Sequence, residues 1–160
     1  MLKSATGFTL VELLVVIAIM GIIGTFVLAN YRSFGEDQSL KNASLDIQSL
    51  LRQAQTNATA NVQCSSDNRG ALWQVVITSG TSSIDLKCGE LSPTPTPAPT
   101  IKKTLPMPTN IRISTGCAAP VEFSPVTGTI RTCSCTVTLQ NTKTENTKSF
   151  TIDKGGSIHE

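Results

Sequence analysis

The chain is short of the residues that build catalytic and nucleic-acid sites. It has one histidine, His159, near its end, and aromatic residues fill 4% of its 160 positions. No Ser/His/Asp or Cys/His triad can be assembled around a tail histidine, and no Gly-rich phosphate loop is present. Scarce aromatics argue against a base-stacking platform. Charged residues make up 15%, with a formal net charge of +2, too even a balance for a concentrated basic face. We therefore expect no enzyme, no cofactor, no metal and no direct nucleic-acid partner. The length allows one compact domain plus a helical stalk, not two ordinary domains.

A second scarcity is local. From Phe8 to Ala29 the only ionisable residue is Glu12, in the run FTLVELLVVIAIMGIIGTFVLA. About 22 residues at about 1.5 Å each give roughly 33 Å of helix, enough to cross a hydrocarbon core of about 30 Å. A charge in such a helix is costly and usually has a task. Lys3 and the α-amine precede the run, while Arg32 and Lys41 after it are diluted by Glu36 and Asp37. That bias places the N-terminus in the cytoplasm.

A third absence runs from Glu36 to Asn68, which holds no Gly or Pro. Leu40, Ala43, Ile47, Leu50, Leu51, Ala54, Ala58 and Val62 recur at helical spacing, which marks one apolar face. We expect one long helix from about Phe8 to Val62, bent or interrupted near Gly21, Gly24 or Gly35, with its second half laid on a sheet.

After Gly70 the period falls to two. Residues 71–78 and 83–88 read as a hairpin, followed by strands at 110–114, 120–124, 129–140 and 148–154, with a turn at Asn141–Glu145. The Pro/Thr-rich segment 92–109 reads as a surface loop, polyproline-like over SPTPTPAPT. The expected class is α+β: a long transmembrane-plus-amphipathic helix packed on an antiparallel β-sheet or sandwich head. The expected parts are a leader at 1–7, a membrane helix at 8–30, a stalk helix at 31–68 and the head at 69–160.

The five cysteines, Cys64, Cys88, Cys117, Cys133 and Cys135, all follow the apolar run. Export would permit disulfides, and the odd count leaves a thiol free or paired between chains. Cys64 with Cys88, and Cys117 with Cys133 or Cys135, are candidate bridges. The plainer alternative is reduced, buried cysteine. Cys133 and Cys135 share one face of a strand, with no second Cys/His pair to complete a metal site. Trp73 reads as core. Asn42-Ala-Ser and Asn57-Ala-Thr match a glycosylation pattern but fall on the expected helix.

Gly7, Phe8 and Glu12 stand in register within GFTLVELLVVIAIMGIIG, behind a short leader with one lysine. This stretch strongly resembles the signal of type IV pilins and type II secretion pseudopilins. The resemblance implies cleavage by a prepilin peptidase between Gly7 and Phe8, N-methylation of Phe8, and a need for Glu12 in assembly. A carboxylate one turn from a new α-amine can pair with the amine of a neighbouring subunit, setting register in a helix bundle. Other pilin or pseudopilin subunits, a platform protein and an assembly ATPase are the partners implied. An ordinary signal anchor, or a secretory signal cut after Val27-Leu28-Ala29, would leave Glu12 unexplained.

Residues 49–63, EFSPVTGTI at 122–130 and FTIDKGGSI at 150–158 resemble the GspH/FimT group of minor pseudopilins and pilins. That group carries a β-sandwich-like head behind a stalk helix. The chain departs from it in the Pro/Thr-rich insert and the Cys133-Ser134-Cys135 pair, and it lacks the basic tail of some DNA-uptake members.

Overall fold

A computed structural model describes residues 7, 9–64, 71–90, 98–132 and 134–160, and of residues 26–33 the backbone alone. Contacts divide the chain into two units, Met1–Gly35 and Glu36–Glu160. The helix α1, Leu10–Thr59, contributes to both. It is uninterrupted at Gly21, Gly24 and Gly35, each of which has open space where a Cβ would lie.

In the second unit the expected stripe is buried: Leu40, Ala43, Ile47, Leu50, Leu51, Ala54 and Ala58. Lys41, Asp46 and Arg52, off the stripe, are exposed. The stripe ends earlier than expected. Val62 lies beyond the helix and is 42% exposed. The stop is a Schellman turn: Asn61 adopts φ 52°, its N–H reaches Ala58 O at 3.1 Å, and Val62 N–H reaches Asn57 O at 2.9 Å. Asparagine tolerates the left-handed conformation this turn requires. The stalk helix expected to run to 68 thus ends at Thr59, and positions 65–68 fall outside the described residues.

Eight strands follow: β1 Ala71–Val76, β2 Ser83–Glu90, β3 Thr100–Pro106, β4 Ile111–Thr115, β5 Val121–Phe123, β6 Cys135–Asn141, β7 Thr147–Ile152 and β8 Ile158–His159. They form two sheets among the described residues, ordered β3-β2-β1-β5 and β4-β6-β7-β8. Every pairing is antiparallel. One face of each sheet and the helical stripe share a single core, in which Phe123, Phe150, Ile47 and Leu51 are among the largest fully enclosed side chains. Trp73 joins that core and donates its Nε1–H to Val62 O at 2.8 Å.

Three expectations need correction. Thr100–Pro106 is a strand, not part of a loop running to 109. Pro99 precedes the strand and Pro106 is its last residue, and as an edge strand it needs ladder bonds on one side alone. Of the strand expected at 129–140, β6 takes the part from Cys135 on; Ile130 makes a single bridge to Phe123, and Cys133 lies outside the described residues. The strands do not end with the one expected at 148–154: Ile158–His159 pairs with β7. Residues 92–97 of the proline segment lie outside the described residues.

Candidate assembly site

The first unit presents an apolar helix whose described side chains are exposed. Leu10, Val11, Leu13, Leu14, Ile17 and Met20 are 57–79% exposed, and Ile22 and Ile23 are similar. A helix that is apolar on all sides is stable in water only when lipid or other helices cover it. Among the described residues no helix is long and apolar enough to cross a membrane. The fully described part of the run ends at Thr25, and the helical backbone continues through Phe26–Ala29.

Glu12 sits at the start of this helix in a closed geometry. Its Oε2 accepts Thr9 N–H at 3.0 Å and the Thr9 hydroxyl at 3.0 Å. The Thr9 hydroxyl oxygen in turn accepts Glu12 N–H at 3.3 Å. This is a capping box, in which an N-cap Thr and an N3 Glu satisfy each other's backbone donors. Thr9 was not singled out from sequence, although Thr-x-x-Glu before an apolar run is the signal for it. The carboxylate also faces the positive end of the helix dipole. Among the described residues no cation pairs with Glu12, so it keeps accepting capacity for a charge brought by another chain. Gly7 is exposed. Phe8, the expected new N-terminus, lies outside the described residues.

The three stretches behind the second resemblance converge on one side chain. Gln55 Nε2 donates to Gly128 O at 3.0 Å and to Gly156 O at 3.2 Å. Ile130 N–H bonds Lys154 O at 3.0 Å, and Val126 N–H reaches Ala58 O at 3.2 Å. Glycine is required at both contacts. A Cβ at Gly156 would lie 2.5 Å from Gln55 Nε2 and 2.5 Å from Gly128 O; one at Gly128 would lie 2.7 Å from Thr59 Cγ2. Both have positive φ, 84° and 66°. The helix end, the 124–129 turn and the C-terminal turn are thus one joint.

The cysteines also come together. Cys64 is joined to Cys88, and Cys117 to Cys135, with Cα atoms 5.6 and 5.5 Å apart. Of the two alternatives for Cys117, the bond is to Cys135; Cys133 lies outside the described residues. Among the described residues no group of three or more His, Cys, Asp or Glu could hold a metal ion. His159 is exposed at the surface, 3.6 Å from Asp153.

Residues 2–28 match the family model described as the prokaryotic N-terminal methylation motif. Comparison with curated proteins and with solved structures returned no match. The matched segment contains Gly7, Phe8, Thr9 and Glu12 and most of the exposed apolar helix. It supports a type IV pilin-like chain with prepilin-type processing of its N-terminus, a kind of protein that is generally structural.

Proposed function

We propose that this chain is a structural subunit, not an enzyme, of a type IV pilus-like or type II secretion filament, most closely a minor pseudopilin or pilin of the GspH/FimT kind. The observation that carries the reading is the coincidence of the methylation motif, the uncovered apolar helix and the self-capped Glu12. The precursor sits in the cytoplasmic membrane with residues 1–7 inside. Prepilin peptidase cuts between Gly7 and Phe8 and methylates Phe8. The assembly ATPase and platform protein then extract the subunit. Apolar helices bundle in the filament core, and Glu12 pairs with the N-terminal amine of a neighbouring subunit.

The capping box gives this last step a physical form. Before assembly Glu12 is held by Thr9, so the helix start is ordered and the carboxylate is aimed. Pairing then adds a charge partner that a low-dielectric bundle would otherwise make costly to lack. The three-way joint at Gln55 is what supports the GspH/FimT subtype, since the stretches that carry that resemblance meet there. The competing reading is a membrane-anchored binding module that never polymerises. Sheared filaments separate the two: the wild-type chain is present in them if it polymerises and absent if it does not, and Glu12→Ala inserts in the membrane yet is missing from them. Normal incorporation of Glu12→Ala would sink the assembly role.

A further inference from the structure

The turn of α1 that opens the second unit has no apolar anchor. Residues 36–39 are Glu, Asp, Gln and Ser, and Leu40 is the first apolar side chain of this unit in the core. Polar contacts fasten this turn instead. Glu36 Oε1 accepts a bond from Lys143 Nζ at 2.7 Å. Its Oε2 accepts from Asn141 Nδ2 at 3.1 Å and from Asn110 Nδ2. The Glu36 carbonyl accepts from the same Asn141 amide at 3.2 Å. Asp37 Oδ1 accepts from Asn146 Nδ2 at 2.6 Å.

The donors are themselves fixed. Asn141 is fully buried, and its Oδ1 is taken by the N–H groups of Lys143 and Thr144 at 2.9 and 3.4 Å. Only its amide group is left for the helix. Thr142 N–H bonds Asn110 O at 2.8 Å, so the approach to β4 and the β6–β7 turn move as one. Donors thus surround an acceptor whose own side chain is otherwise at the edge of the core.

We infer that Glu36 is the positioning residue of a charge-dependent latch. Ionised, it fastens the first turn of the head-bound helix to Asn110 and to the Asn141–Asn146 turn. Neutralised, it releases that turn while the core from Leu40 onward stays folded. The chemistry is asymmetric. A carboxylate offers only acceptors to these three donors, whereas a protonated carboxyl turns one oxygen into a donor facing donors.

Lys143 is the only charged side chain bonded to Glu36 among the described residues. On the helix Asp37 is committed to Asn146. Lys41, Glu145 and Lys148 line the adjoining surface cavity with Asp37, and none of the three bonds Glu36; Lys148 is paired with Glu160 at 2.9 Å. The Lys143 bond first, then that of Asn141, holds the Glu36 carboxyl below the usual glutamate range. A depressed folded-state value means the latch is fully held above the unfolded-chain value of about 4.3. It is lost as pH falls through the folded value. The latch does not depend on whether the chain polymerises.

The test is NMR on the full chain in detergent micelles. The side-chain amide resonances of Asn110 and Asn141 report on Glu36, backbone exchange at residues 37–41 reports on the turn, and the Trp73 indole reports on the core. Glu36→Gln should move both asparagine resonances and speed exchange at 37–41 at least tenfold, leaving the indole unmoved. Lys143→Met, at a side chain 65% exposed and therefore safe for folding, should give a smaller effect that Lys143→Arg reverses. On acidification the wild-type asparagine resonances should titrate with a midpoint below that of ordinary glutamate, and not in Glu36→Gln. Unchanged exchange at 37–41 in Glu36→Gln overturns the latch, as does equal acceleration across 71–90.

Discussion

Gly156→Ala should be among the most damaging single-methyl changes in the head. The position has φ 84°, where a side chain costs about 1–2 kcal/mol. The added Cβ would also meet Gly128 O at 2.5 Å, a backbone atom that cannot rotate away. The C-terminal turn must then shift, which breaks both Gln55 hydrogen bonds, at about 1 kcal/mol each. The sum is about 3–4 kcal/mol. Gln55→Ala alone should cost about 2 kcal/mol, and the double variant should cost about 2 kcal/mol less than the two singles added, because the same bonds are lost once. Urea unfolding in mild detergent, followed through Trp73, reads all three. A loss under about 1 kcal/mol for Gly156→Ala, or strict additivity, would refute the three-way joint.

Other outcomes follow from single contacts. Gly116→Ala places a Cβ 2.6 Å from Ile77 O, a backbone atom; it should cost about 1–3 kcal/mol in the same unfolding assay. Val126 has φ 68° in a tight turn closed by Thr127 N–H to Pro125 O, and its side chain is 75% exposed. Val126→Gly should therefore stabilise the head by about 0.5–1 kcal/mol, seen as a higher urea midpoint. Reducing Cys117–Cys135, which spans 18 residues, should cost about 3 kcal/mol on the loop-entropy model; unfolding with and without reductant in a Cys64→Ser/Cys88→Ser background measures it. Thr9→Val should remove about 1 kcal/mol of helix-start stability, read as faster amide exchange at residues 10–13.

Much of the fold was legible because its signals are local. The stripe from Leu40 to Ala58 is a 3.6-residue period, and the β1–β2 hairpin is a two-residue period, so both could be read without tertiary knowledge. What was missed depends on context or on weak patterns. β3 carries Lys102 and Lys103 and is exposed along nearly all its length, so it shows no buried alternation. β8 is two residues long and exists only because β7 is beside it. The division into two sheets was not legible from the strand pattern, since neighbours such as β1 and β5 are far apart in sequence; the resemblance to a group with a sandwich-like head was what pointed to it.

The site divides the same way. Glu12 stands out because a lone carboxylate in an apolar run is conspicuous, and Thr9 was readable from its three-residue spacing. Asn61 carried a readable stop as well, an asparagine able to take a positive φ at the end of the periodic run. Gln55 and Glu36 were not readable. Each is an ordinary polar helix residue until folding brings Gly156, Asn110 and Asn141 to it from 74 to 105 positions away.

The most direct test of the central claim is the intact mass of the native protein, with N-terminal fragmentation. The account predicts a mature chain that begins at N-methyl-Phe8, with residues 1–7 gone. An intact Met1, or a chain beginning at Asn30, would contradict it.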